Sequence, residues 1–117
     1  MGPYYVTNPD QGSELEFTAP AGGVIGGTPK LIGTILVIPV HDAAVGSKFR
    51  GVVSGQFSLP KNTGAGTGWV EGAKVFWDAG IGKVTGVATG NQLVGWGATA
   101  AADGDTIGRV RLDGVAR

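Results

Sequence analysis

No window of this chain carries a sustained 3.6-residue apolar period, and apolar side chains instead recur at every second position in several stretches. In residues 14–19, Leu15, Phe17 and Ala19 face one way and Glu14, Glu16 and Thr18 the other. In residues 48–59, Phe49, Val53, Phe57 and Leu59 share a face opposite Lys48, Arg50, Ser54, Gln56 and Ser58. Near the C-terminus, Val110 and Leu112 oppose Arg109, Arg111 and Asp113. Such segments are strands with one dry and one wet face. Residues 31–40 are apolar throughout and rich in β-branched side chains, which predicts a central strand buried on both faces. Pro39 belongs at its end or at an edge, because it cannot donate to a ladder. Further strands are expected at residues 74–78, 83–87, 92–100 and 106–113. Ala79-Gly80-Ile81-Gly82 and Thr89-Gly90-Asn91 suit hairpin loops, and Asp103-Gly104 is a strong turn dipeptide. Short strands at regular spacing predict an all-β fold, a small single-domain β-barrel or β-sandwich of short antiparallel strands.

Glycine contributes 23 of the 117 residues. It adds entropy to the unfolded chain and no side chain to a core. Many tight turns, or help from a partner surface, would explain the excess. The length suits one domain. Residues 1–13 are polar and hold Pro3, Pro9 and Gly12, and are expected to form an extended N-terminal arm before a single β domain over residues 14–117. A faint internal echo joins two segments. His41-Asp42-Ala43-Ala44-Val45-Gly46 leads into a strand carrying Lys48 and Arg50, and Thr99-Ala100-Ala101-Ala102-Asp103-Gly104 leads into one carrying Arg109 and Arg111.

Nine basic and nine acidic residues give no formal net charge. Nucleic-acid binding through phosphates needs a net basic surface, so no nucleic-acid partner is expected. Without cysteine there is no disulfide and no thiolate metal site. The start has neither a basic region nor an apolar run of signal-peptide type. The longest apolar stretch has ten residues, against the ~20 that a membrane helix needs. The chain is therefore expected to be soluble, intracellular at synthesis and without a membrane partner.

Catalytic, cofactor and metal sites are all expected to be absent. His41 has only Asp42 beside it, and adjacent strand residues point to opposite faces, a poor chelate. None of Ser13, Ser47, Ser54 and Ser58 lies in a nucleophile-elbow pattern. Asp103 with Asp105, and Glu14 with Glu16, lie two residues apart on one strand face, as solvated charges do. The glycines of residues 60–68 alternate as in a phosphate-binding loop, but no helix follows them. That segment reads as a flexible surface loop with almost nothing to bury. Trp69, Trp77 and Trp96 remain. Exposed, they would make a sugar-binding platform, and a carbohydrate-binding β module is the alternative function. The preferred reading is core or subunit interface, with Trp96 packing over the bare backbone of Gly95 and Gly97.

The C-terminal half runs Glu71-Gly72-Ala73-Lys74-Val75-Phe76-Trp77-Asp78, Lys83-Val84-Thr85, Ala88-Thr89-Gly90-Asn91-Gln92-Leu93-Val94-Gly95, then Ala100-Ala101-Ala102-Asp103-Gly104-Asp105 and Val110-Arg111-Leu112-Asp113-Gly114. The N-terminal half carries Phe17-Thr18-Ala19-Pro20-Ala21-Gly22-Gly23, Asp42-Ala43-Ala44-Val45-Gly46 and Gly55-Gln56-Phe57-Ser58-Leu59-Pro60-Lys61. In order and spacing these segments resemble the phage head decoration, or capsid cement, proteins over residues 14–114, with residues 1–13 unmatched. The resemblance implies a structural, non-enzymatic virion protein that stabilises the outer surface of the capsid. It implies the major capsid protein as partner and a homotrimer at three-fold positions of an expanded head. The protein would pass through the host cytoplasm during assembly.

The arm supplies the candidate contacts. It holds both tyrosines, Tyr4 and Tyr5, next to Val6 and between Pro3 and Pro9. The prolines favour an extended form, and tyrosine is enriched at interfaces. Thirteen extended residues reach up to about 45 Å. Pro3, Tyr4, Tyr5, Val6 and Pro9 are therefore expected to contact the capsid or a neighbouring subunit; the other reading is that the tyrosines cover an open edge of their own domain.

Overall fold

The computed structural model describes residues 14–116. They contain no helix and nine strands: β1 (Glu14–Thr18), β2 (Lys30–Ile32), β3 (Ile35–Pro39), β4 (Lys48–Val52), β5 (Ser54–Pro60), β6 (Lys74–Asp78), β7 (Lys83–Thr85), β8 (Gln92–Gly97) and β9 (Ile107–Asp113). Two antiparallel sheets result, ordered β1-β4-β3-β2 and β5-β9-β8-β6-β7. Neither closes into a barrel. The two edges of the second sheet approach through a single parallel bridge, Lys61 to Val84.

Several expectations need correction. Residues 31–40 are not one strand but the β2–β3 hairpin, with Ile32 opposite Ile35. Gly33 leads its two-residue turn at φ +62°, a conformation that a side chain would strain. The β3 half is buried on both faces, and Pro39 ends it. Residues 48–59 form two strands in different sheets, β4 and β5, parted at the buried Val53. Thr89-Gly90-Asn91 makes no hairpin, because β6 lies between β7 and β8. Leu15, expected on a dry face, is 46% exposed on the edge strand β1.

The internal echo has a structural counterpart. In each sheet the first strand lies beside the last: β1 beside β4, and β5 beside β9. In each, a crossing connection puts the intervening strands on the far side, a Greek-key order. Registers correspond pair by pair. Glu16↔Arg50, Phe17↔Phe49 and Thr18↔Lys48 in the first sheet match Gln56↔Arg111, Phe57↔Val110 and Ser58↔Arg109 in the second. Both small-residue corners make an isolated antiparallel bridge, Ala43 to Val24 and Ala101 to Trp69. The second sheet differs by carrying the extra edge strand β7.

Both sheets feed one core. Leu36, Ile38 and Val52 of the first pack with Phe57, Leu59, Val75, Trp77, Val84, Val110 and Leu112 of the second. Val37, on the other face of β3, joins a second cluster with Phe49, Val53, Ala19 and Val24. The glycines do leave room for a tryptophan, but for Trp69 rather than Trp96. Trp69 is 7% exposed and lies over Gly97 and Gly108; a Cβ on Gly108 would come within 2.5 Å of its ring. Trp77 is 4% exposed, whereas Trp96 is 45% exposed on the outer surface. Trp77→Ala is therefore expected to cost about 3–5 kcal/mol of stability. Trp96→Ala is expected to cost about 1 kcal/mol or less, with urea unfolding as the measurement for both.

Candidate functional site

Two places concentrate polar or exposed chemistry, and the first lies at the rim of the second sheet. The alternation that buries Phe57 and Leu59 continues to Lys61, which is only 1% exposed. Its ammonium must therefore find acceptors inside the protein. Nζ donates to the carbonyl of Asn62 at 2.7 Å, to Thr67 Oγ1 at 3.2 Å, and to the carbonyls of Asp103 and Asp105, both at 3.3 Å. It also stands 5.8 Å from the centroid of the Trp69 ring. Trp69 is satisfied in turn, its Nε1 donating to the Thr99 carbonyl at 2.9 Å.

The glycine-rich segment is tied down at the same rim. Asp103 Oδ1 accepts from the Gly68 N–H at 2.9 Å, and Oδ2 from the Gly66 N–H at 3.2 Å. These two N–H groups hold the Asp103 carboxyl below its ordinary value of 3.8, with a smaller push from the Lys61 ammonium. The Gly64 N–H bonds the Asp103 carbonyl, and the Gly86 N–H bonds that of Thr67. The expected loop with almost nothing to bury is thus corrected, since Lys61 and Thr67 are both buried. The alternating glycines do present N–H groups to an anion, and that anion is the chain's own carboxylate.

The other sequence candidates stand apart. His41 is exposed, with Nδ1 2.9 Å from the Asp42 carbonyl, and Asp42 Oδ1 accepts from the Gly26 N–H at 2.8 Å. Asp105 Oδ2 accepts from the Ala102 N–H at 2.9 Å, closing its own turn. Glu14 pairs with Arg50 at 2.7 Å. Among the described residues no three His, Cys, Asp or Glu side chains come together as a metal site. A groove of about 450 Å³ runs past Thr28, Lys30, Leu31, Trp77 and Ala79. Trp77 lines it but is buried, so it offers no open ring face. Pro3, Tyr4, Tyr5, Val6 and Pro9 lie outside the described residues.

The second place is the outer face of the five-stranded sheet. Residues directly opposite in antiparallel strands share a face, with Cβ atoms roughly 5 Å apart. Lys74 on β6, Trp96 on β8, Arg111 on β9 and Gln56 on β5 form one such row across four strands. Ile107 and Arg109 extend the face along β9, both exposed. A register shift between Val75 and Phe76 lies next to the row and helps turn Trp96 outward.

Two outcomes are expected at the rim. Lys61→Met removes the ammonium from the carbonyls of Asn62 and Asp105, while that of Asp103 keeps the Gly64 N–H and the Thr67 hydroxyl, and should cost about 1–3 kcal/mol in urea unfolding. The depressed Asp103 carboxyl stabilises the fold above its unfolded value of 3.8 and loses that contribution as pH falls through its lower folded value. Asp103→Asn should therefore melt below the wild type at pH 7, with the gap closing as pH falls below 3.8 through the lowered folded value. A gap unchanged across that range would contradict the assignment.

No curated protein and no solved structure matches the chain. A family model described as phage cement protein matches residues 9–112. The match starts at residue 9 rather than 14, so Pro9, set apart above as arm, falls inside the family region, and it ends at 112 rather than 114. Covering nearly the whole chain, it shows that the protein belongs to the phage cement protein family.

Proposed function

We propose that this protein decorates the outer surface of a phage capsid and stabilises the shell, without catalysis. The family match over residues 9–112 carries the reading. The physical features support it. A cement protein needs area and shape fit rather than a pocket, and the broadest features here are sheet faces and not a cleft. Its partner is the major capsid protein. It acts as a homotrimer at three-fold or local three-fold positions, reached after passage through the host cytoplasm. Closed symmetry suits a small protein used in many copies on a lattice. Residues 1–13 serve as an arm before the β domain, with Pro3, Tyr4, Tyr5, Val6 and Pro9 contacting the shell or a neighbouring subunit.

Two outcomes test this. A variant lacking residues 2–12 should keep nearly the wild-type melting temperature and sediment much more weakly with expanded heads that lack decoration. Unfolding of that variant would place the arm in the core, and unchanged binding would remove it from the contact. Light scattering of free protein, together with images of decorated heads, should show trimers; isolated monomers on the shell would contradict the assembly proposed.

A further inference from the structure

We propose that the outer face of the five-stranded sheet, centred on Trp96, docks on an acidic, partly apolar patch of the capsid shell; this rests on the cement reading above. Trp96 is 45% exposed although β8 is an interior strand, flanked by β9 and β6. Its ring therefore covers no sheet edge. It stands between two cations in the row, Lys74 on one side and Arg111 on the other. Ile107 adds apolar surface and Arg109 a third cation on the same face of β9. Tryptophan and arginine are the residues that most often dominate binding energy at protein interfaces.

The first half of the chain is an internal control. By register, Glu14 and Glu16 of β1 correspond to Ser54 and Gln56 of β5, while Lys48 and Arg50 of β4 correspond to Arg109 and Arg111 of β9. In the first sheet, Glu14 neutralises Arg50 at 2.7 Å. In the second, the cations are kept, Ser54 and Gln56 stand where β1 has Glu14 and Glu16, and one carboxylate, Asp113, is added at the end of β9 where β4 has Val52. The position of Trp96 corresponds to Val40, whose N–H donates to the Arg50 carbonyl at 3.0 Å. The same scaffold is thus charge-balanced with a small apolar residue on one sheet, and cationic with a tryptophan on the other. Among the described residues the carboxylates near the second face are Asp78 and Asp113, at the ends of β6 and β9; they accept from the N–H groups of Gly80 and Val115.

The excess of positive charge selects an acidic occupant. Duplex nucleic acid would call for a larger basic field than a chain of zero net charge provides. A second copy across a two-fold would set the same cationic row against itself, and its first sheet is charge-balanced. An acidic shell surface offers the complement.

The test titrates full-length protein onto expanded heads lacking decoration, read by co-sedimentation. Trp96→Ala and Arg111→Glu should each weaken the apparent Kd about 30-fold, whereas Val40→Ala on the first sheet should leave it unchanged. Added salt should weaken the wild type more than Arg111→Glu. Melting curves check that each variant is folded, and Arg111→Gln serves if Arg111→Glu is not. Wild-type binding by both row variants would overturn the assignment. So would loss of binding only together with loss of trimer, which would make the row a contact between copies. Fluorescence of the free protein that responds to a sugar panel, and no longer does in Trp96→Ala, would overturn it in favour of a carbohydrate platform. Wild-type protein that fails to sediment with heads would instead overturn the cement reading itself.

Discussion

The Lys61 ammonium is buried where three backbone segments meet, and burying it obliges them to stay together. Out of water it needs acceptors, and it takes them from residues 61–67 and from the 103–105 turn, next to the end of β7. The Asp103 carboxylate closes the same junction from the other side by accepting from Gly66 and Gly68. Between them lies Trp69, with Lys61 over its ring and its indole N–H bound to Thr99. Trp69 in turn fills the space over Gly97 and Gly108, at the end of β8 and the start of β9. These are the strands that carry Trp96 and Arg111 outward. A buried charge thus fixes a buried ring, and the ring supports the strands that display the exposed one.

The correspondence between the two sheets gives this arrangement its meaning. Two segments share strand order, ladder register and a bridging corner, yet carry different side chains on their outer faces. In the first, Arg50 pairs with Glu14 and Lys48 donates to the Thr18 hydroxyl. In the second, the Asp103 carboxylate is taken up by the Gly66 and Gly68 N–H groups at the rim, and Arg109 and Arg111 have Ser58 and Gln56 opposite them. Stability and surface character are in this way separated. Rim and core hold the fold, while the outer row can change without disturbing either.

Much of this was legible in the residues. Strands were expected at 14–19, 74–78 and 106–113, where β1, β6 and β9 lie; in β9 the alternation of side chains matches alternating burial, as a half-buried strand writes it, whereas in β1 it does not, since Leu15 is exposed. The Asp103-Gly104 turn was equally plain. The β2–β3 hairpin was not, because apolar residues flank Gly33-Thr34 on both sides and hide the turn within one apparent strand. The switch of sheets at Val53 was hidden for a similar reason: the inward parity of Phe49 carries through to Phe57 and Leu59 although the partners change. Lys61 lies on that same parity, so its burial was readable; its charge argued the other way, and only the distant turn at 103–105 supplies the acceptors. Sequence neighbours point to Trp96, flanked by Gly95 and Gly97, as the ring over bare backbone. The glycines that matter for Trp69, Gly97 and Gly108, are far away in sequence and brought to it by the fold.

If this protein meets a capsid from outside through the Trp96 face, the shell must show it there. Electron cryomicroscopy of expanded heads saturated with the purified protein tests it most directly. The account predicts added density on the outer surface of the shell, with the five-stranded sheet turned toward it and the β1–β4 sheet turned away. Density with that orientation reversed would contradict the docking face, and heads that gain no outer density at saturation would contradict the account as a whole.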